Sequence, residues 1–287
     1  MPSLKAIRKR ISSVKSTQQI TKAMKMVAAA KLRRAQDAAV QARPYAEKLE
    51  AMVAHLLQRV DSAAHPLLRA PETSRRCLVL VVSSDRGLCG GYNANLLREV
   101  EEFIAGRAGD FVFATVGSKG YDHLKRREYE LAEKNAMPAA PEAGPVARDV
   151  ARGLQQAYLS GEVDRVVVVY SAFQSAMTQT PTVEQLLPLQ HHDEPEDRDA
   201  GHEYVFEPNP HEIIGTLLPR LVEVRVLHAL LEAGASELAA RMTAMDSATR
   251  NAAEMIDRLT LQMNRARQAQ ITTELMEIIS GDEALNE

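Results

Sequence analysis

The chain has 287 residues, 45% of them hydrophobic and 25% charged, the composition of a folded protein rather than a disordered or fibrous one. No run of eighteen apolar residues occurs and the basic N-terminal stretch lacks an apolar leader core, so neither a membrane span nor a secretory signal is expected and the cytosol is the default. Two cysteines, Cys77 and Cys89, cannot build a disulfide framework, and aromatic residues make up only 4% with no tryptophan. The net charge of −3 hides a strong asymmetry. Residues 1–43 hold eleven Lys/Arg against Asp37 alone, leaving about −13 for the rest.

Between Ser3 and Arg43 there is neither proline nor glycine, and the vocabulary is Ala, Lys, Met, Gln and Arg. The expectation is a long helix over residues 1–60, bent rather than ended at Pro44 and roughly 80 Å long at 1.5 Å per residue. Leu4, Ile7, Ile11, Val14, Gln18, Thr21, Lys25, Ala28, Leu32, Ala35 and Ala39 recur at spacings of three and four, with Ile20, Met24 and Val27 expected to take over the seam midway.

The middle, residues 76–205, reads differently. Cys77–Val82, Phe111–Val116 and Val166–Val169 are apolar runs without alternation, as strands covered on both faces require. Helical stretches near Asn93–Ile104, Ser118–Arg127 and Val146–Ser160 separate them, and a further strand fits Thr182–Leu189. The expectation is a Rossmann-like α/β domain with a mostly parallel sheet. Residues 190–212 carry eight acids, Arg198 as the single Lys/Arg, and His191, His192, His202 and His211, with prolines that point to a solvated loop.

A third segment, residues 210–287, is expected to form a second long helix, free of proline from Arg220 onward and reaching about 90 Å. Leu238, Met242, Met245, Thr249, Ala252, Ile256, Leu259, Met263 and Ala266 form a seam over four heptads, and Leu275 and Ile278 extend it. Two heptad segments at opposite ends of one chain most simply pair with each other as an antiparallel coiled coil. The fold class read from sequence is therefore α/β plus a long α-helical coiled coil.

The candidate sites are weak as chemistry. Ser83–Asn93 is a strand–turn–helix with Gly87, Gly90 and Gly91, but its spacing matches neither common nucleotide fingerprint, so a tight turn and helix start outweigh phosphate binding. Cys89 has no base nominated beside it, and the four histidines lack a ligand spacing. No catalytic, cofactor or metal residue is nominated. Two function classes besides the one below fit these features: an α/β ligand-binding protein or enzyme dimerised through a coiled coil, and a basic coiled coil that binds nucleic acid.

Four segments carry a specific resemblance: Ile20-Thr-Lys-Ala-Met-Lys-Met-Val-Ala-Ala-Ala-Lys31, Ser84-Asp-Arg-Gly-Leu-Cys-Gly-Gly-Tyr-Asn93, Arg241-Met-Thr-Ala-Met-Asp-Ser-Ala-Thr249 and Arg265-Ala-Arg-Gln-Ala-Gln-Ile-Thr-Thr-Glu-Leu-Met-Glu-Ile-Ile-Ser-Gly281. Over its whole length the chain resembles the γ-subunit family of F-type ATP synthases, of the bacterial type. The resemblance implies a non-catalytic central rotor stalk without a cofactor. Its implied partners are the α and β subunits of the catalytic hexamer, an ε subunit and the ring of c subunits, and its place is the cytoplasmic face of the cell membrane. Nucleic acid is not among the implied partners, and the membrane is reached only through the c ring. It further implies that Lys22, Lys25, Lys31, Arg33 and Arg34 form a basic collar facing acidic loops of the β subunits, and that Met24, Arg241, Gln268 and Glu274 meet the loops of the surrounding subunits. Tyr204, Phe206 and Glu207 are implied foot contacts to the c ring. The inserted cysteine pair of the photosynthetic members is missing, so thiol control is not expected.

Overall fold

The computed structural model describes residues 3–57, 65–69, 75–189 and 210–286. It divides into two compact units, Ala29–Arg241 and the pair of segments Met1–Ala28 with Met242–Glu287. Helix α1 (Leu4–Leu57) and helix α5 (Pro210–Asn286) each contribute to both. Both keep a proline inside, Pro44 in α1 and Pro219 in α5, so neither ring ends its helix.

In the larger unit, the described strands form one five-stranded sheet. Strand β1 (Arg76–Val82), helix α2 (Tyr92–Ala105), strand β2 (Asp110–Val116), helix α3 (Ser118–Arg126), strand β3 (Glu130–Asn135), helix α4 (Ala143–Leu159), strand β4 (Arg165–Phe173) and strand β5 (Gln179–Leu187) follow in chain order. The strand order is β3-β2-β1-β4-β5, parallel except for the β4–β5 hairpin. Register sets Cys77 beside Phe111 on one side and Arg165 on the other.

The period of two explains why the strand sequences do not alternate. Leu78, Leu80 and Val82 join Val112, Val116 and Val168 under the tail of α1, α4 and α5. Their neighbours Val79, Val81, Phe113 and Val169 face Leu96, Val100 and Phe103 of α2 and Leu124 of α3. Both faces are core, so both parities must be apolar.

Strand β3 is the one element of the sheet that the sequence reading does not anticipate. Its sequence, Glu-Leu-Ala-Glu-Lys-Asn, carries no apolar run because it is an edge with four of its six residues exposed, and charge on an edge discourages strand-to-strand aggregation.

The smaller unit holds two antiparallel helical segments. Thr21 Oγ1 lies 2.8 Å from Thr249 Oγ1, and Lys25 Nζ donates to Asp246 Oδ1 at 2.6 Å. Position rises on one helix as it falls on the other, which fixes the antiparallel sense. The seam stays on Gln18, Thr21, Lys25 and Ala28, all buried or half-buried. The expected takeover by Ile20 and Val27 does not occur: they are 57% and 56% exposed. Paired polar side chains hold the seam at positions where apolar residues stand one place away.

The turn from β2 into α3 is strained by design. Gly117 has φ of 96°, and a Cβ built there would sit 2.1 Å from the Ser83 carbonyl oxygen. Gly117→Ala is therefore expected to cost at least about 2 kcal/mol in urea unfolding of the chain. Gly161→Ala, where φ is 76° but no neighbour lies within 4 Å, should cost less; equal losses would mean that the Ser83 contact is not what limits the site.

Candidate functional site

The loop Ser83–Gly91 leaves β1 at the carboxyl end of the sheet, with β2 and β4 on either side, which is the place where doubly wound sheets bind ligands. The side chains of Ser83, Ser84 and Asp85 are engaged locally. Ser83 Oγ accepts from the Gly120 amide at 2.8 Å, and Ser84 Oγ donates to the Arg86 carbonyl at 2.8 Å. The Asp85 carboxylate accepts from the amides of Ser118 at 2.9 Å and Met137 at 3.1 Å. Asn93 binds Ser84 and reaches the Cys89 sulfur at 3.2 Å. Leu88 and Gly90 take left-handed backbone to close the loop.

What lies against this end of the sheet is α5. Arg241 donates to the Gly87 carbonyl at 2.8 Å and pairs with Glu237 one turn back. Tyr92 donates its hydroxyl to the Ala233 carbonyl at 3.2 Å, and the Phe173 amide at the end of β4 donates to buried Glu232 at 2.7 Å. Three separate pieces of the α/β unit thus grip ten residues of one helix. Burial raises the Tyr92 phenol far above its usual range, which keeps the hydroxyl a donor. Helix α5 thus lies against the end of the sheet where doubly wound folds hold a ligand.

Nucleophilic chemistry finds no support among the described groups. Burial pushes the Cys77 thiol up to about 11, leaving it protonated at neutral pH. Cys89 is 2% exposed and surrounded by loop atoms. No group of three or more His, Cys, Asp or Glu able to hold a metal occurs among the described residues. The histidines 191, 192 and 202 lie outside those residues, and so do Tyr204, Phe206 and Glu207.

The other positions nominated from sequence are placed as follows. Lys22, Lys31, Arg33 and Arg34 are exposed and form no ion pair among the described residues. Lys25 is engaged with Asp246, which Arg250 also reaches at 3.2 Å. The hydrogen bond from Lys25 holds the Asp246 carboxyl below its usual 3.8, with Arg250 adding to it. Met24 is half-buried. Arg241 belongs to the grip just described. Gln268 is exposed, and exposed Glu274 accepts from Gln270 at 2.9 Å.

Sequence reasoning missed Asp246, Glu232 and Tyr92. The Glu237–Arg241 spacing of four was a legible helix pair. Nothing in the sequence says that Tyr92 and Glu232 meet α5 and β4, because those contacts span 141 and 59 residues.

A family model described as ATP synthase matches residues 3–285. The ATP synthase gamma chain of Geotalea daltonii is 50% identical over 288 residues, covering 99% of both chains. That of Chlorobaculum tepidum is 48% identical, with both chains covered in full. Among solved structures, the central stalk and c-ring structure of the Tetrahymena thermophila mitochondrial ATP synthase contains a chain 26% identical, with a TM-score of 0.61 over 80% of this chain and 99% of that one. A chain of the Euglena gracilis mitochondrial ATP synthase is 20% identical and shares the fold, with a TM-score of 0.67 over 98% and 94%.

The grip should register in stability. Tyr92→Phe is expected to cost about 1 kcal/mol and Arg241→Ala about 1–3 kcal/mol, the latter leaving Glu237 and the Gly87 carbonyl without their donor, both read by urea unfolding. A neutral result for both would show that α5 is held by apolar packing alone. The Asp246 carboxyl, depressed in the folded chain, contributes stability above its unfolded pKa that is lost as pH falls through the folded one. In Lys25→Gln its NMR titration should move upward; an unmoved midpoint would remove Lys25 as the cause.

Proposed function

This chain belongs to the ATP synthase gamma-chain family, and we propose that it serves as the central rotor stalk of such a complex, with no catalytic site of its own. Turned by the c ring at its foot, it holds the three nucleotide sites of the α and β subunits in different conformations. Each partial turn redistributes those conformations. It sits on the cytoplasmic face of the cell membrane, touching the membrane only through the c ring, with ε as its neighbour at the foot.

The observation that carries this reading is the bare end of α5. The register set by Thr21 with Thr249 places Leu4 opposite Ala266, so the described part of α1 offers no partner beyond that point. Yet Ile271, Leu275, Met276, Ile278 and Ile279 follow, every one at least 46% exposed. Their helical positions spread over about 160° of arc at 100° per residue, one broad side of the helix. An exposed apolar arc of that width, without a partner among the described residues, supports a surface that other subunits cover. Ile20, Met26 and Val27 add exposed apolar surface to α1 in the same unit.

In that role the exposed cations Lys22, Lys31, Arg33 and Arg34 supply a field to which acidic loops of the surrounding subunits respond. Exposed charges contribute little static stability, but they bias orientation. Met24, Gln268 and Glu274 are the shaft positions proposed to meet those loops, and Tyr204, Phe206 and Glu207 the foot contacts. Arg241, committed to Gly87 and Glu237, acts at its place by holding α5 to the α/β unit.

Expressed with its neighbours and purified through a tag, the chain should emerge once per three nucleotide-binding β subunits. Recovery alone, or as a nucleotide-binding homodimer, would overturn the reading. Lys25→Glu sets two carboxylates against each other across the seam. It is expected to lower proton pumping per ATP hydrolysed by roughly half or more while leaving subunit stoichiometry intact. Unchanged coupling would remove the Lys25–Asp246 pair as a contributor to coupling.

A further inference from the structure

Within the unit of residues 29–241 a groove of about 200 Å3 lies between α1, α4 and α5. Ala39, Ala42 and Ala46 line it from α1, and Val224, Leu227 and Leu231 from α5, both sets at spacings of three or four. Gly144 and Ala147 close it from α4. Small side chains on two of the three walls let a backbone approach closely, and the volume is below the roughly 300–1,000 Å3 usual for cofactor and small-molecule sites. It is a place for one or two inserted side chains.

The rim is cationic from every side. Arg43 stands on α1, Arg148 on α4 and Arg220 on α5. Glu223 is the one acid among the lining residues, and it is already shared between Arg220 at 2.6 Å and Arg148 at 4.0 Å. Arg220 also donates to the hydroxyl of Tyr45 at 3.2 Å, which holds an exposed tyrosine and an arginine together at the groove mouth. Tyrosine and arginine around a small apolar floor are the residue types that dominate protein–protein contact energies. The excess positive charge selects an acidic partner, and the apolar floor requires that the partner bring hydrophobic side chains on the same face.

We propose that this groove receives an acidic amphipathic helix from another subunit, with one or two apolar side chains seated between α1 and α5 and carboxylates reaching Arg43 and Arg148. The inference rests on the chain working inside a multi-subunit complex. Nucleic acid does not suit it, because three arginines around one small groove give no track along a phosphate backbone.

The test uses the purified complex with Ala42→Cys labelled by benzophenone maleimide, illuminated and digested, with the adduct sequenced by mass spectrometry. The expected adduct is a peptide of a different subunit carrying at least two Asp or Glu within a helical apolar pattern. Arg43→Glu combined with Arg148→Glu should lower its yield by at least about tenfold, whereas Arg148→Lys, which keeps the charge, should stay within about twofold. Tyr45→Cys reports the same rim if Ala42→Cys does not assemble. An adduct confined to this chain, to a second copy of it, to lipid or to a peptide without acids would overturn the proposal, as would a yield indifferent to charge reversal. If the unmodified chain forms no complex, the rotor-stalk reading fails instead. A complex of the right stoichiometry with a misplaced adduct removes only the groove.

Discussion

Everything in the larger unit depends on α5 lying where a doubly wound sheet would otherwise hold a ligand. From Ile214 to Ala239 the helix is core: Leu218, Val222, Val226, Ala229, Leu230 and Ala233 are all at or below 2% exposure. Burial of that many apolar side chains is the largest favourable term available to the unit, since each leucine or valine contributes roughly 1.5–3 kcal/mol. The hydrogen bonds from Tyr92, Phe173 and Arg241 add little net energy by comparison, but they are directional. Apolar packing alone tolerates a helix sliding along its groove, whereas a carboxylate on one amide and a guanidinium on one carbonyl do not. Seat and register therefore come from different interactions.

The same division holds in the smaller unit. Its seam is poor in large side chains, with Ile7, Ala28, Met245 and Ala252 as its buried apolar members. A core of that kind specifies alignment weakly, and single polar pairs at seam positions are the usual means of fixing register in a coiled coil, at a cost in stability. Thr21 with Thr249 and Lys25 with Asp246 occupy those positions. The apolar residues that a stability-maximising design would have turned inward, Ile20 and Val27, are turned outward instead. A chain that gives up apolar core to keep apolar surface is built for a covered environment, which is the condition a stalk inside a ring of subunits meets.

Much of this was legible before any coordinates. Proline-free Ser3–Arg43 and the three-and-four spacing define α1, and unalternating valine runs define β1, β2 and β4, because helix period and two-sided burial each leave a local pattern. Seam positions on both terminal helices came out buried or half-buried throughout the paired region. Two failures have physical causes. Strand β3 has no apolar pattern because it is an exposed edge, and the midway seam shift was inferred from hydrophobicity alone when hydrogen bonding decided it. Long-range partners were invisible for a third reason: nothing local distinguishes a tyrosine that donates 141 residues away from one that faces water.

The composition takes on meaning through that covered environment. Aromatic poverty would be a defect in a 287-residue globule, but the terminal segments pack through aliphatic side chains; phenylalanine is absent before Phe103 and after Phe206. Large aromatic anchors dominate interfaces that hold one orientation. A surface that must slide past three equivalent neighbours is better served by shallow contacts of similar depth in each position, and Ala, Leu, Ile and Met provide these. The charge asymmetry complements this, since exposed lysines and arginines act over about 8–10 Å through solvent without requiring a locked geometry. Both kinds of contact are available on α1, where Ile20, Met26 and Val27 are exposed and so are Lys22, Lys31, Arg33 and Arg34. Buried Thr21 and half-buried Lys25 hold the two helical segments of the smaller unit in one register, so the exposed side chains they carry stay at fixed heights relative to each other.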